Sequence, residues 1–307
     1  MASKSPDATD MPTLPEPMRP PRGQLHMLHK TTTIGDFTLH ALEGGRLRLD
    51  GGAMFGVVPK PLWEKRIPAD ERNRIPLALR CLLVETPDAL VLIDNGVGNK
   101  EDAKFLDIYG IENEATDGSP TRLEQAIREL GFDPGDVDWV FDTHLHFDHA
   151  GGNTYLDEEG QLRLSFPRAR YVVQKGELAW AHRANERTRA SYFDRNYDPV
   201  LGAGRLELVD GVAHPISGIE LRPTPGHTPH HQSVILRSRG ETACFLADVC
   251  PTSAHLPLPW IMGYDVEPLV TLESKRALFA EAAREKWLLV FEHDPDVAWG
   301  RLEYEGG

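Results

Sequence analysis

The run Thr143-His-Leu-His-Phe-Asp-His-Ala-Gly-Gly-Asn153 places four potential metal ligands, His144, His146, Asp148 and His149, within six residues. His144 and His146 are two apart on a segment that reads as extended, so their rings point to the same side. Asp148 and His149 follow at once, where Ala150-Gly151-Gly152 turns the chain. The two glycines are read as letting the backbone crowd an ion. Imidazole and carboxylate together suit zinc, iron, manganese or cobalt. A lone histidine is more often a packed or exposed polar residue than a ligand. Here the cluster ends an apolar strand, and its density points to metal binding.

One loop cannot aim a complete ligand set. Three further candidates share one placement, the C-terminal end of an apolar strand. His227 sits in TPGHTP after GIELRP, Asp248 ends TACFLAD, and His293 ends WLLVFEHD. Taken alone, each would more often be structural. A carboxylate ending an apolar strand also wants a counter-charge. His230 and His231 are read as supports of the site or as surface residues. His182, His214 and His255 get the ordinary reading of polar side chains. Cys250 is expected to pack near the ions without binding them.

The elements that position these residues alternate between strand and helix. TTTIGDFTLHALEGG is strand-like, and LRCLLVET and ALVLIDNG read as a hairpin around Pro87-Asp88. Residues 51–76 read as irregular. TRLEQAIREL is an amphipathic helix closed by Gly131, and VDWVFDT is a buried strand running into the histidine cluster. ARYVVQ reads as a strand, QKGELAWAHR as a short helix, and HRANERTRASYFDRNYDPV as a helical insertion. GRLELVD, GIELRPTPGH, QSVILRS and TACFLAD read as strands, PLVTLESKRALFAEAAREK as a long helix, and WLLVFEHD as the final strand. Loops at strand ends are where a rigid sheet presents chemistry. Residues 1–23 are Pro-rich and read as a flexible arm, leaving 24–307 as one domain.

The whole chain narrows the partners. It has 307 residues, enough for a real core, and a formal net charge of -14. Such a surface repels phosphate backbones and anionic lipid, so neither nucleic acid nor membrane is expected as a partner. The three cysteines, Cys81, Cys244 and Cys250, lack C-x-x-C spacing and read as reduced thiols. With no apolar leader at the N-terminus and no run long enough to span a bilayer, a cytoplasmic location is expected.

The combined pattern H-x-H-x-D-H, then His227, Asp248 and His293 in that order, resembles the metallo-β-lactamase superfamily from about Ile34 to Asp294. VLIDNGVG resembles the family's early Asp-Gly segment. The resemblance implies an α/β fold, a four-layer αββα sandwich with two divalent metal ions at one edge. Zinc is the first choice, with iron, manganese or cobalt as alternatives. Carried over, His144, His146 and His227 would hold one ion, Asp148, His149 and His293 the other, and Asp248 would bridge them. Asp94 would orient a ligand histidine, or be a simple turn carboxylate. Two cations about 3.5–4 Å apart clamp a shared water and yield a bridging hydroxide near neutral pH. Asp148 is the candidate proton shuttle for the leaving group.

Within the superfamily, Asp248 speaks against true β-lactamases, His146 against flavodiiron proteins, and the acidic charge against the RNase Z-like branch. HLHFDHAGGN and TPGHTPHHQS look most like the lactonases that open acyl-homoserine lactones. The expectation is a small-molecule hydrolase of lactones or carboxylic esters, with possible organophosphate turnover. The alternatives are a thioesterase similar to glyoxalase II and a mononuclear iron persulfide dioxygenase. His230 stands where the lactonase pattern has glycine. Pro251 stands where some lactonases carry an oxyanion-steadying tyrosine, which leaves Tyr264 and Tyr192 as substitutes. GGAMFGVVPKPLW and HLPLPWIMGY are too apolar for ordinary loops. Met54, Phe55, Leu258, Trp260 and Met262 are read as a greasy pocket lining, against core packing or a homodimer interface as the commoner fate of each.

Overall fold

The computed structural model describes residues 12–13 and 28–304. Apart from Pro12 and Thr13, which pair with Glu303 and Tyr304, the Pro-rich arm lies outside the described residues. Two sheets carry the fold. The first has the strand order Leu206–Val209, Arg170–Gln174, Trp139–Phe141, Leu90–Ile93, Arg74–Glu85, Phe37–Asp50, His29–Ile34. Its first four strands run parallel and the rest antiparallel. The second runs Ile219–Pro223, Gln232–Ser238, Glu241–Phe245, Leu288–Val290, Trp299–Gly300.

Alternation along the strands builds four layers. Leu82 and Val84 of the first sheet and Val234 and Leu236 of the second meet in one buried cluster between the sheets. Their neighbours point the other way. Cys81 and Leu83 pack beneath Leu123, Ala126 and Ile127 of the helix Arg122–Glu129. Ile235, Cys244 and Leu289 pack beneath Leu278, Phe279 and Ala282 of the helix Pro268–Glu285. The result is an αββα sandwich, with both faces of the central strands apolar because both are covered.

Some local expectations change. The stretch 51–76 is not irregular throughout. It holds the short helices Gly51–Phe55 and Lys60–Trp63, and the strand that begins at Arg74. The Asp50 side chain caps the first of these by accepting from the Ala53 N–H at 2.8 Å, and Pro61 at the start of the second suits a first helical turn. The expected helical insertion after His182 is mostly turns, with one 3-10 turn at Asp194–Asn196 and a short helix at Asp198–Gly202. Asn185 folds this stretch locally, its side chain accepting from the Arg187 and Thr188 N–H groups. The strand within WLLVFEHD is shorter than expected, Leu288–Val290, and it is not the final one, because Trp299–Gly300 and Glu303–Tyr304 follow.

Among the described residues, no helix is long and apolar enough to cross a membrane. Val57 and Leu62 of the first apolar loop are exposed, at 92% and 51%. The homodimer expectation rests on residues of this kind.

Candidate metal centre

Five strands deliver the polar residues to one edge of the sandwich. Asp94 follows Leu90–Ile93, and the cluster from His144 to His149 follows Trp139–Phe141. His227, Asp248 and His293 follow Ile219–Pro223, Glu241–Phe245 and Leu288–Val290. Both sheets therefore contribute through their C-terminal strand ends. The loop after the cluster is pinned by close backbone packing. A Cβ on Gly151 would meet the Val97 carbonyl oxygen at 2.3 Å, and one on Gly152 the Asn95 carbonyl oxygen at 2.1 Å. These glycines make room for the 95–97 segment and not for an ion, which corrects their expected role.

The structure brings all seven candidate ligands together, in two groups. Ligand atoms of His144, His146, His227 and Asp248 lie within 4.8 Å of one another, and so do those of Asp148, His149 and His293. His146 Nδ1 stands 3.0 Å from His144 Nε2 and 3.1 Å from His227 Nε2. In the second group, His149 Nε2 lies 3.2 Å from His293 Nε2. Asp148 Oδ2 is 3.9 Å from the first of these nitrogens and 3.8 Å from the second. Asp248 reaches both groups: Oδ2 is 3.0 Å from His227 Nε2 and 3.5 Å from His149 Nε2, and Oδ1 is 3.3 Å from His293 Nε2.

Outer partners aim the rings. His227 Nδ1 donates to Asp265 Oδ1 at 2.9 Å, His293 Nδ1 to the Ala78 carbonyl at 2.8 Å, and His149 Nδ1 to Asp94 Oδ2 at 3.0 Å. Thr143 Oγ1 donates to Asp94 Oδ2 at 2.7 Å and accepts from His144 Nδ1 at 3.1 Å. With the outer nitrogen donating, the inner Nε2 presents a lone pair, the tautomer a metal ligand needs. His146 differs, turning Nδ1 inward. Asp94 is completely buried and binds Thr143 through both oxygens. It is thus built into the support of the His149 ring and, through Thr143, of the His144 ring, and is no plain turn carboxylate.

Electrostatics fit a cation site. Burial works against the charged form of His227, but Asp248 and Asp265 outweigh it and lift its pKa to about 10. His293 rises to about 9 against the same burial, through Asp248 and Glu292. His149 rises well above the histidine range through Glu292, Asp248 and Asp148, again against burial. Burial and the neighbouring imidazoles push His144 and His146 well below it. The Asp248 carboxyl is held far below the carboxylate range despite burial, by His227, His149 and His293. Its buried Oδ1 has no hydrogen-bond partner among the described residues. Imidazole nitrogens converging on a buried carboxylate are a donor set suited to divalent cations.

Above the cluster lies a cavity of about 390 Å³, lined by Leu49, Met54, Tyr109, Phe147, Met262 and Val266 among others, with His146, Asp148, His227, Asp248 and His293 on its wall. Met54 and Met262 thus stand at the cavity. Phe55, Leu258 and Trp260 do not, which corrects that part of the pocket. Phe55 is fully buried and stacks on His255 at 4.5 Å and on Trp63 at 5.3 Å, with Trp260 edge-on at 5.7 Å. Leu258 packs with the core under the helix Pro268–Glu285. Loops this apolar build a satellite core beneath the cavity instead of facing it.

Of the remaining candidates, His231 is buried and its Nε2 accepts from the Asp248 N–H at 3.2 Å, so it holds the backbone of a candidate ligand. His230 and His214 are exposed, and exposed His182 pairs with Asp198. Cys250 is buried with its thiol toward the Thr252 carbonyl. Sequence reading missed Asp265, Glu292 and Glu177. Asp265 lies in a loop with no strand before it, so strand-end placement could not find it.

The sequence matches the metallo-β-lactamase superfamily over residues 75–293. The chain belongs to that superfamily. An N-acyl homoserine lactonase from Bacillus sp is 25% identical over 228 residues, 72% of this chain and 82% of that protein. The lactonase AttM of Rhizobium radiobacter is 29% identical over 182 residues, 58% of this chain and 65% of its own. A probable metal-dependent hydrolase from Staphylococcus aureus superposes with a TM-score of 0.80 at 32% identity, over 88% of this chain and 94% of that one. The dizinc quorum-quenching lactonase AidC shares the fold, with a TM-score of 0.72 at 22% identity, over 90% of this chain and 96% of its own. The superfamily member described here is a metal-dependent hydrolase related to lactonases.

Proposed function

We propose that this hydrolase is dinuclear, opens N-acyl lactones, and cleaves carboxylic esters of similar shape. Its two divalent cations, zinc in the first place, would be held by His144, His146 and His227 on one side. Asp148, His149 and His293 would hold the other, with Asp248 shared. The observation that carries this reading is the reach of Asp248 into both imidazole groups, at 3.0 Å from His227 and 3.3 Å from His293. A single iron would engage one group and leave the other group's converging nitrogens without a cation.

Cations held there supply a water acidic enough to ionise near neutral pH and a polarised ester carbonyl. The chain's own residues do the rest. Hydrolysis adds the water oxygen to the carbonyl carbon, breaks the ring C–O bond, and sends one water proton to the departing ring oxygen. Asp148, on the cavity wall beside His149 and His293, would carry that proton. Leu49, Met54, Phe147, Met262 and Val266 hold an acyl chain by apolar contact. With Pro251 in the position of the oxyanion tyrosine, the phenol must come from elsewhere. The Tyr192 hydroxyl is committed to Glu177 at 2.9 Å. Tyr109 and Tyr264 line the cavity, and burial followed by the charge of Asp148 raises the pKa of Tyr109. Among the described lining residues Arg187 is the one Lys or Arg, so the cavity favours an acyl lactone over an anionic thioester of glutathione.

The test combines metal analysis of the purified protein with a panel. The panel holds an N-acyl homoserine lactone, an aryl ester, an aryl phosphotriester and S-lactoylglutathione. Two zinc ions per chain with lactone opening is the expected result. One iron per chain with the whole panel intact would refute it, and turnover of the thioester alone would make the protein a thioesterase.

A further inference from the structure

One carboxylate beneath the cavity takes part in none of the steps above. Glu177, on the helix Lys175–Ala181, is completely buried in an otherwise apolar cluster with Leu145, Leu178, Ala181 and Tyr197 around it. A buried carboxylate is costly unless its oxygens are fully used. Here they tie three segments together. Oε1 accepts from the Tyr192 hydroxyl at 2.9 Å and from the Leu145 N–H at 3.2 Å. Oε2 accepts from the Thr228 hydroxyl at 2.7 Å.

Each donor adjoins the first imidazole group. Leu145 lies between His144 and His146, and Thr228 follows His227. The Tyr192 ring packs edge-on against His146, with centroids 4.7 Å apart, and lines the cavity. Glu177 belongs to none of the groups that could hold an ion.

We propose that Glu177 is the positioning residue of the first ligand group. It fixes the segments of His146 and His227 against each other, so that His146 Nδ1 and His227 Nε2 stand 3.1 Å apart. Through Tyr192 it sets the His146 ring against the cavity wall. The inference rests on reading His144, His146 and His227 as ligands of one metal ion.

Zinc alone, competed against a chelating dye, is titrated into the metal-free full-length protein. Glu177→Met keeps the bulk and removes the acceptors. It should weaken one zinc-binding step by about 10–100-fold and leave the other within about twofold. Glu177→Gln should restore the weakened step, because its amide oxygen accepts from Tyr192 and Leu145 and its NH₂ donates to Thr228 Oγ1. Should Glu177→Met fail to fold, Thr228→Val and Tyr192→Phe each remove one arm and should weaken the same step by smaller factors. Unchanged zinc steps in the folded variants would overturn the proposal. So would equal weakening of both steps alongside a lower Tm, the mark of general scaffolding. The titration is read without substrate, so it decides on Glu177 whether or not the wild type opens a lactone.

Discussion

Stripping the metals and returning zinc should release a definite number of protons. In the metal-free protein at pH 7 His227, with a pKa of about 10, and His293, at about 9, are protonated. Its neighbouring carboxylates push His149 the same way, and burial with neighbouring imidazoles pushes His144 and His146 the other way. In His227, His293 and His149 Nδ1 already donates to Asp265, the Ala78 carbonyl or Asp94. The proton that zinc must displace is therefore the one on Nε2. Filling both groups expels at least the two protons of His227 and His293, with more from His149 and from a cation-bound water that ionises near neutral pH, so the product of the two zinc association constants rises at least about a hundredfold per pH unit between pH 7 and pH 8. Calorimetric titration in two buffers of different ionisation enthalpy counts the protons directly. Stability of the metal-free protein follows the same groups. The folded pKa values of His227 and His293 lie above the unfolded histidine value of about 6.5. Their pairing with Asp248 thus contributes stability that is complete below that pH and lost as the pH rises through about 9 and about 10. Zinc binding with no proton release and a pH-independent affinity would refute the assignment of these rings.

Two further outcomes test the outer structure. Asp265→Ala removes the acceptor of His227 Nδ1, and zinc affinity or kcat/KM should fall about 10–100-fold, with Asp265→Asn retaining most of both. An unchanged zinc titration in Asp265→Ala would show that His227 needs no such partner. Phe55→Ala opens the stack between Trp63 and His255 and should cost about 3–5 kcal/mol in denaturant melts while leaving KM for a lactone nearly unchanged. A large KM change at preserved stability would put Phe55 back at the cavity wall.

The strands were legible as apolar runs and the helix Arg122–Glu129 as an amphipathic segment, whereas the sandwich they build was implied by the resemblance carried by the ligand motif. The helix Pro268–Glu285 gives a weaker local signal, because it exposes Leu269 and Val270 and buries Lys275. Leu82↔Ile93 and its neighbours pair as the hairpin around Pro87-Asp88 requires. Short elements were not legible. The helix Ala103–Tyr109 buries no residue completely and packs Phe105 and Tyr109 against the core, a single i, i+4 pair too short to read as a periodic face. The hairpin Thr154–Leu156 with Leu162–Leu164 is three residues a side, below the length at which alternation can be read. Pocket residues failed for another reason. Apolar character predicts burial, but not whether a side chain is buried under the cavity floor, like Phe55, or at its wall, like Met54 and Met262.

The candidate site divides the same way. Ligands must sit at strand ends to converge, so their placement leaves a mark in the sequence. Their outer partners need only reach the far nitrogen of a ring, and the fold supplies them from anywhere. Asp265 comes from 38 residues beyond His227, Asp94 from 55 before His149, and the Ala78 carbonyl from 215 before His293. The last is a backbone group and leaves no residue preference at all. Two chains could therefore share every ligand and differ at these supports. Such chains would keep the same cations but differ in how firmly the rings hold them, because ring orientation and tautomer are set from outside. The motif decides that a metal centre forms, and the strands and loops behind it decide how tight that centre is.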